Sequence, residues 1–198
     1  MVSGREWWTA VAGAIAGDFS PGGRLPITFY KSVDQLPPFE DYSMANRTYR
    51  YFHGEPLYPF GYGLSYTKFE YANAHVEPAS IPPDGTAIIT AKVSNRGPMA
   101  GDEVVQLYLT HPGVSVAPIR ALEGFQRIHL ERGETKTVMF RLHDRNLGVV
   151  DENGKHRIVA GPVQVRVGGG QPEAKNGFQT PAGVSTQFTI TSEATLPD

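Results

Sequence analysis

Residues 47–71, RTYRYFHGEPLYPFGYGLSYTKFEY, are the most aromatic part of the sequence and separate two regions of different character. A small-residue, glycine-rich segment and a run of loops precede them, and short alternating apolar patterns with turn signals follow them. Aromatic side chains dominate the buried area of cores and interfaces. The stretch therefore predicts a joint between two packed units. A binding surface is the second interpretation.

After this stretch the pattern is that of β-strands. The predicted strands lie at 69–76, 87–93, 103–109, 121–130, 135–142, 147–150, 155–159 and 163–167. The spacing of apolar residues around Gly124 is irregular and predicts a bulge, and Asn153-Gly154 predicts a hairpin turn. About seven short strands over roughly 100 residues are typical of an immunoglobulin or fibronectin type III-like sandwich. The predicted fold class is mainly β, with a short α/β remnant before the sandwich.

The segment before the aromatic stretch contains one helix candidate, residues 6–16. Trp7, Val11 and Ile15 recur at helical spacing, and Gly17 is a stop signal. Because almost every side chain there is small or apolar, we expect the helix to be buried. Residues 25–30 alternate apolar and other side chains, which predicts a short strand.

Composition excludes several classes of protein. The formal net charge of the 198 residues is -2, so we expect neither a nucleic acid nor a membrane partner. The absence of cysteine excludes disulfides, thiol nucleophiles and cysteine-zinc sites, and no H-x-x-x-H pair offers a zinc site. No cofactor and no metal are therefore predicted. Residues 1–4 do not resemble a signal peptide, and the abrupt start suggests a piece of a longer protein.

Several long motifs, in a consistent order, resemble the C-terminal part of glycoside hydrolase family 3. They are GGRLPITFY at 22–30, RTYRYF at 47–52 and PFGYGLSYTKF at 59–69. GDEVVQLY at 101–108, LEGF at 122–125 and RGE at 132–134 look like that family's fibronectin type III-like domain. RTYRYF and GGGQP at 168–172 are most similar to its β-xylosidase-like branch.

The resemblance implies a domain plan. Residues 1–45 would be a remnant of an α/β sandwich domain, 46–70 an aromatic linker and 71–172 the fibronectin-like domain. Residues 173–198 would be a tail, with 184–191 a candidate for one more strand. A full-length member has an N-terminal (β/α)8 barrel with an aspartate nucleophile, and its α/β domain commonly carries the acid/base glutamate.

Neither catalytic carboxylate can be assigned to a position here, because the chain has no room for the barrel. The resemblance thus implies a non-catalytic region that braces an enzyme acting on terminal β-linked glucose or xylose. Such an enzyme is expected to be secreted or periplasmic. The predicted partners are the catalytic domains of that enzyme, and we expect no glycosidase activity from this chain alone.

The aromatic stretch also permits a carbohydrate-binding or polymer-docking module, because aromatic faces stack on sugar rings. The candidate substrate-binding residues are Tyr49, Tyr51, Tyr58, Tyr62, Tyr66 and Arg47. Packing between domains is the favoured interpretation of the same tyrosines. Where the aromatic surface is exposed, it also predicts a homodimer.

A serine esterase-like hydrolase is a third alternative. Its candidate residues are Ser43, Ser65, His53, His111, His143 and Asp144, but residues 63–67, GLSYT, lack the final glycine of a G-x-S-x-G elbow. Three further carboxylates, Glu40, Asp41 and Glu55, lie near the aromatic stretch. We interpret them as solvated loop residues or partners of Arg47 and Arg50 rather than as an acid and a base.

Overall fold

A computed structural model describes residues 4–172 and 182–197 of the chain. Loops with little regular structure make up most of the part before Phe69, and β-strands make up most of the part after it. Helix α1 is Gly4–Ala16, a single 3-10 turn is Val33–Gln35, and the short helix α2 is Thr48–Tyr51. No described helix has the length and apolar character to cross a membrane.

Helix α1 is present where the sequence predicts it, and Gly17, at φ +83°, follows its last residue. The expectation that α1 is buried is wrong. Trp7 is 64% exposed, Trp8 76% and Ile15 78%. The described residues offer no layer that covers this face, since the helix is followed directly by loops that lead toward the sandwich.

The prediction of a strand at 25–30 is wrong. Phe29 forms only an isolated bridge with Tyr58, and Leu25 donates its backbone N–H to Tyr62 over 2.8 Å. Pro26 has no N–H to contribute, so these contacts do not continue into a ladder. The segment therefore follows residues 58–62 at two points and stays irregular between them.

Eleven strands follow among the described residues. They are β1 (Phe69–Glu77), β2 (Ser80–Ile81), β3 (Thr86–Asn95), β4 (Gly101–Thr110), β5 (Ala121–Leu130), β6 (Thr135–His143), β7 (Val149–Val150), β8 (His156–Ile158), β9 (Gly161–Gly168), β10 (Gly183–Ile190) and β11 (Ala194–Thr195). A second 3-10 turn, Asp144–Leu147, links β6 to β7.

The long strands form two packed sheets. One has the order β1-β3-β6 and the other β2-β10-β9-β4-β5, and the β2–β10 pair is parallel while the rest are antiparallel. A small third sheet, β11-β8-β7, lies beside them. This arrangement is a mainly β sandwich preceded by a short helical segment, as the sequence predicts. The candidate strand at 184–191 is present as β10, and residues 173–181 of the predicted tail lie outside the described residues.

The core lies between the two sheets and consists of inward-facing residues on alternate positions. Ile89, Ala91 and Val93 of β3 are at most 1% exposed. Val105, Leu107 and Leu109 of β4 face them and are equally buried. This alternation is the period-two pattern that predicts these strands in the sequence.

The predicted bulge and hairpin are both present. Leu107 pairs with Gly124 while the next residue, Tyr108, pairs with Leu122, so one residue of β5 is left over. A Cβ atom at Gly124 would lie 2.8 Å from the ring of Phe140, so a side chain of β6, in the other sheet, packs on the glycine. The hairpin between β7 and β8 closes through Asp151, with Gly154 at φ +77°.

Candidate functional site

The loops before Phe69 meet the sandwich at a polar joint, defined here by Arg24, Tyr71, Asn95, Glu103 and Thr67. Arg24 Nη2 donates to Glu103 Oε2 over 2.8 Å, and the side chains are only 9% and 2% exposed. The hydroxyl of Tyr71 donates to the other carboxylate oxygen of Glu103 over 3.1 Å. Both oxygens of a buried carboxylate are thus satisfied by groups from two different parts of the chain.

Burial dominates the electrostatics of this group. It raises the pKa of Glu103 above its ordinary value, and the positive charge of Arg24 and the Tyr71 hydrogen bond act in the opposite direction. The pKa of Tyr71 is raised as well, first by burial and then by the Glu103 charge. Removing either partner of such a pair is costly because it leaves an uncompensated buried charge.

Asn95 forms the second part of the polar joint. Its side chain is fully buried, and its Nδ2 donates to the backbone oxygens of Met99 and Leu130 over 2.8 and 3.0 Å. Its Oδ1 accepts from the Thr67 hydroxyl and from the Gly97 N–H. One amide therefore ties the end of the aromatic stretch to two turns of the sandwich.

Tyr49 packs toward the sandwich rather than toward solvent. Its ring stacks on Phe60 with centroids 4.2 Å apart and meets Tyr108 edge-on at 6.2 Å. Its hydroxyl accepts the backbone N–H of Leu122 over 3.1 Å. These contacts support the interpretation of this tyrosine as interdomain packing.

Tyr58 and Tyr62 lie elsewhere, on an open groove. Their rings stack at 5.4 Å, and Phe29 meets Tyr58 edge-on at 6.2 Å. The groove has a volume of about 690 Å³ and is also lined by Leu25 and Leu64. Tyr58 is 38% exposed, so part of this aromatic surface faces solvent.

The other candidate binding residues do not join this groove. The hydroxyl of Tyr66 donates to the backbone oxygen of Ala14 in α1 over 2.8 Å. Tyr51 is half-buried at the end of α2. Arg47 donates to the backbone oxygens of Ser43 and Asp41 and thereby holds its own loop. Of the six candidates, only Tyr58 and Tyr62 share a surface in the described lining of the groove.

Two family models match the chain on either side of the polar joint. The glycosyl hydrolase family 3 C-terminal domain matches residues 1–66, and the fibronectin type III-like domain matches residues 103–171. The xylan 1,4-beta-xylosidase of Xylanibacter ruminicola is 42% identical over 167 residues, which are 83% of this chain and 19% of that protein. The periplasmic beta-glucosidase of Salmonella typhimurium is 34% identical, over 88% of this chain and 25% of that protein.

The chain belongs to glycosyl hydrolase family 3. Among solved structures, that of beta-glucosidase 3B from Thermotoga neapolitana in complex with alpha-D-glucose has a TM-score of 0.80 and 30% identity. It is matched over 95% of this chain and 27% of its own length. The chain spans about a fifth to a quarter of the length of the curated relatives it matches.

The loop carboxylates of this family 3 chain are dispersed. Glu55 pairs with Lys31 over 2.9 Å, with both side chains about half exposed. Asp41 Oδ1 accepts the backbone N–H of Ser43, and this hydrogen bond lowers its pKa. Glu40 is exposed. Within residues 4–172 and 182–197, no group of three potential metal ligands lies together.

Arg50 does not pair with these loop carboxylates, so its partnership with them, one of the alternatives that the sequence suggests, is wrong. It lies 3.6 Å from Glu123 of β5 instead. Burial raises the pKa of Glu123, and its hydrogen bond with Asn146 and the Arg50 charge act in the opposite direction. Arg50 is thus another contact between the aromatic stretch and the sandwich.

The residues of the esterase hypothesis are not assembled. Ser65 Oγ shares a hydrogen bond with Ser20 Oγ at 2.9 Å, and His143 contacts its neighbour Asp144 at 3.4 Å. His111 is buried, which lowers its pKa. No serine–histidine hydrogen bond occurs among the contacts of the described residues, so a hydrogen-bonded triad is not formed there.

The sequence did not predict that Arg24, Asn95 and Glu103 form a contact between the loops and the sandwich. A signal for Glu103 exists, because it lies two residues before Val105 and so shares the inward face of β4. A carboxylate on a core-facing position requires a buried partner. The partner, Arg24, is 79 residues away in sequence, and no local pattern connects the two.

Proposed function

We propose that this chain is a non-catalytic C-terminal region that braces a family 3 glycoside hydrolase acting on terminal β-linked glucose or xylose. The observation that carries the proposal is the buried Arg24–Glu103 pair. It links the segment matched by the family 3 C-terminal domain to the segment matched by the fibronectin type III-like domain. Relatives named as β-xylosidases and β-glucosidases support the substrate class.

The close packing around Arg24 is consistent with a brace. A Cβ atom at Gly63 would overlap the backbone oxygen of Gly23 and approach Arg24 Nη1 to 2.8 Å. A Cβ atom at Gly22 would lie 2.8 Å from Asp102 in β4. The loop that carries Arg24 therefore packs against both the aromatic stretch and the sandwich, without space for a side chain at Gly22 or Gly63.

Two assays test the proposal. The purified chain should give no turnover of aryl β-xyloside or aryl β-glucoside above a buffer blank. A chimera in which this chain replaces the matched region of the Salmonella β-glucosidase should hydrolyse aryl β-glucoside. In that chimera, Arg24→Met should lower the temperature of half-inactivation, whereas Lys31→Ala, at an exposed ion pair, should leave it unchanged.

Turnover by the isolated chain that survives rigorous purification would overturn its non-catalytic assignment. Equal inactivation temperatures for the Arg24 and Lys31 variants of the chimera would overturn the bracing role. These two results are independent, since the first concerns chemistry and the second concerns stability.

The exposed groove supports a second candidate function, a polysaccharide-docking surface. Its specific basis is the stacked pair of Tyr58 and Tyr62, which presents aromatic area next to Leu25 and Leu64. Tyr62→Ala should abolish retention on insoluble xylan or cellulose. Phe125→Ala removes an aromatic ring that is 68% exposed on β5, away from the groove, and should leave retention unchanged. Equal retention of both variants would remove this candidate.

A further inference from the structure

The apolar face of helix α1 is turned toward solvent. Trp7, Trp8 and Ile15 are each mostly exposed, and Val11, which lies between them, is 38% exposed. These four residues recur at intervals of three, four and seven, so they form one stripe along the helix. A contiguous exposed apolar surface of this kind marks an interaction site.

Contacts on another side of α1 hold the helix in place. Gly13 lies about 200° around the helix from Val11, and a Cβ atom there would lie 3.0 Å from the ring of Phe19. The backbone oxygen of Ala14 accepts the hydroxyl of Tyr66 over 2.8 Å. The stripe around Val11 is therefore presented on a helix that is fixed to the chain from elsewhere.

The stripe has no charge of its own that would oppose a second stripe. Among the side chains of α1 that the structure describes, only Glu6 is charged. Glu6 and Trp8 are two residues apart and so lie on opposite sides of the helix. The surface around Trp8 consists of apolar carbon and indole N–H groups, which favours apolar protein side chains over an ionic ligand.

The stripe is complementary to itself when two helices run antiparallel. Trp7 and Ile15 are each four residues from Val11, so a pair centred on Val11 places Trp7 of one copy opposite Ile15 of the other. The same register places Trp8 opposite Ala14. Each large ring thus meets a smaller side chain, and both contacts occur twice, as a twofold interface requires.

A groove beside α1 leaves room for the Trp8 ring of a second copy. Its volume is about 530 Å³, and its lining includes Trp7, Ala10, Val11, Ala14 and Phe19. Ala10 and Ala14 lie one turn apart and have only methyl side chains, so the groove stays open at the position that the register gives to the ring.

The exposed area is sufficient for a weak dimer. Since an aromatic side chain offers about 150–250 Å², the two tryptophans of one copy expose roughly 300 Å². With Ile15, Val11 and Phe19, two paired faces would bury roughly 1,000–1,200 Å², at the lower limit of specific interfaces. We propose that α1 pairs in antiparallel orientation with α1 of a second copy, with a micromolar dissociation constant. This contact differs from the homodimer expected through the aromatic stretch, and it does not use the Arg24–Glu103 pair of the proposed brace.

Sedimentation velocity of the purified chain tests the pairing. Between about 1 and about 500 μM, a range that spans micromolar affinities, the sedimentation coefficient should rise from that of a monomer to that of a dimer. Trp8→Lys should weaken the dimer at least about tenfold, because it removes an aromatic anchor and puts a charge in the contact. Lysine is a good helix former, so α1 should persist, which far-UV circular dichroism checks.

Phe125→Lys is the matched control. It also replaces an exposed aromatic ring by lysine, but on β5, and should dimerise as the unaltered chain does. Should Trp8→Lys fail to fold, Ile15→Lys takes its place with the same expectation. Equal dimerisation of the α1 and Phe125 variants would overturn the proposal. A chain that stays monomeric at about 500 μM would overturn it as well and would leave the face to a different protein segment.

A single cysteine reports the orientation, because the chain has none of its own. In the antiparallel register Val11 lies opposite Val11 of the second copy, so Val11→Cys should form a disulfide-linked dimer with glutathione disulfide as the oxidant. Val33→Cys, at an 81% exposed position outside α1, should stay largely unlinked. Non-reducing gel electrophoresis measures both, and equal cross-linking of the two variants would refute the antiparallel pairing.

Discussion

Arg24 Nη2 lies 2.8 Å from Glu103 Oε2, and the two residues come from regions of the chain that match two different domain families. The hydroxyl of Tyr71, on β1, donates a hydrogen bond to the other oxygen of the Glu103 carboxylate. The pair is therefore an internal contact of a single chain and also a contact between two domain types.

Replacing Arg24 by methionine should lower the free energy of unfolding by about 3–5 kcal/mol, because it leaves the Glu103 carboxylate buried without its cation. Urea denaturation followed by far-UV circular dichroism measures the loss. Lys31→Ala breaks an exposed pair and should cost less than about 1 kcal/mol. A loss at Arg24 no larger than that at Lys31 would show that the pair does not hold the joint.

Glu103 should also make stability depend on pH. Its pKa in the folded protein is raised above 4.5, chiefly by burial, so the folded state binds its proton more tightly than the unfolded chain. The free energy of unfolding should therefore fall as the pH rises from about 4.5 through the folded pKa, and level off above it. Glu103→Gln should lack this decline. Glu70→Gln, at a carboxylate that is 66% exposed, should retain it.

Gly63 and Gly23 offer a matched pair of substitutions in neighbouring loops. Gly63→Ala should destabilise the chain by about 1–3 kcal/mol, because the new methyl group would overlap the backbone oxygen of Gly23. A Cβ atom at Gly23 meets nothing within 4 Å, so Gly23→Ala should change stability by less than about 1 kcal/mol. Similar values for the two variants would mean that the loops do not pack this closely.

Substitutions of Tyr49 and Tyr58 should differ in their effect on the free energy of unfolding, because only the ring of Tyr49 packs against the sandwich. Tyr49→Ala removes the ring between Phe60 and Tyr108 and should cost about 2–4 kcal/mol. Tyr58 is 38% exposed, and Tyr58→Ala should cost about 1 kcal/mol or less. Chemical denaturation of both variants provides the comparison. The reverse order of losses would contradict the packing of Tyr49 against Phe60 and Tyr108.

His129 and Asp102 should give a second pH effect, on the surface of β4 and β5. The Asp102 hydrogen bond at 2.7 Å raises the pKa of His129 above 6.5, and the same bond lowers the pKa of Asp102 below 3.8. The stabilisation from the raised pKa of His129 is complete below pH 6.5 and is lost as the pH rises through the pKa of His129 in the folded protein. The stabilisation from the lowered pKa of Asp102 is present above pH 3.8 and is lost as the pH falls through the pKa of Asp102 in the folded protein.

His129→Gln should therefore reduce stability near pH 5 and have no effect at pH 9. Thermal melts at both values measure the difference, and proton NMR titration of the His129 ring gives its pKa directly. His75→Gln is a control at a histidine of β1 outside this cluster. A His129 pKa at or below 6.5 would refute the contact.

The sandwich could be predicted from the sequence because its signals are local. The alternation of Val105, Leu107 and Leu109 predicts a core-facing strand, and Gly124 predicts a bulge. Each of these signals spans only a few residues. The predictions that are wrong depended on contacts with residues far away in the sequence, or on contacts that do not form. Residues 25–30 alternate like a strand, yet Pro26 prevents a continuous ladder.

The polar joint shows the same limit. Asn95 lies at the end of a predicted strand, but its partners Thr67 and Leu130 are 28 and 35 residues away. Side-chain partners across such distances are set by tertiary packing, which residue patterns do not encode.

Helix α1 has a practical consequence for any measurement on this protein. The chain contains two tryptophans, and both are in α1, at 64% and 76% exposure. Intrinsic tryptophan emission will therefore be insensitive to the melting of the sandwich, which must be followed through the backbone or the tyrosines. The same emission is a selective optical reporter for anything that covers α1, so a blue shift on mixing with another protein segment would detect its docking there without a label.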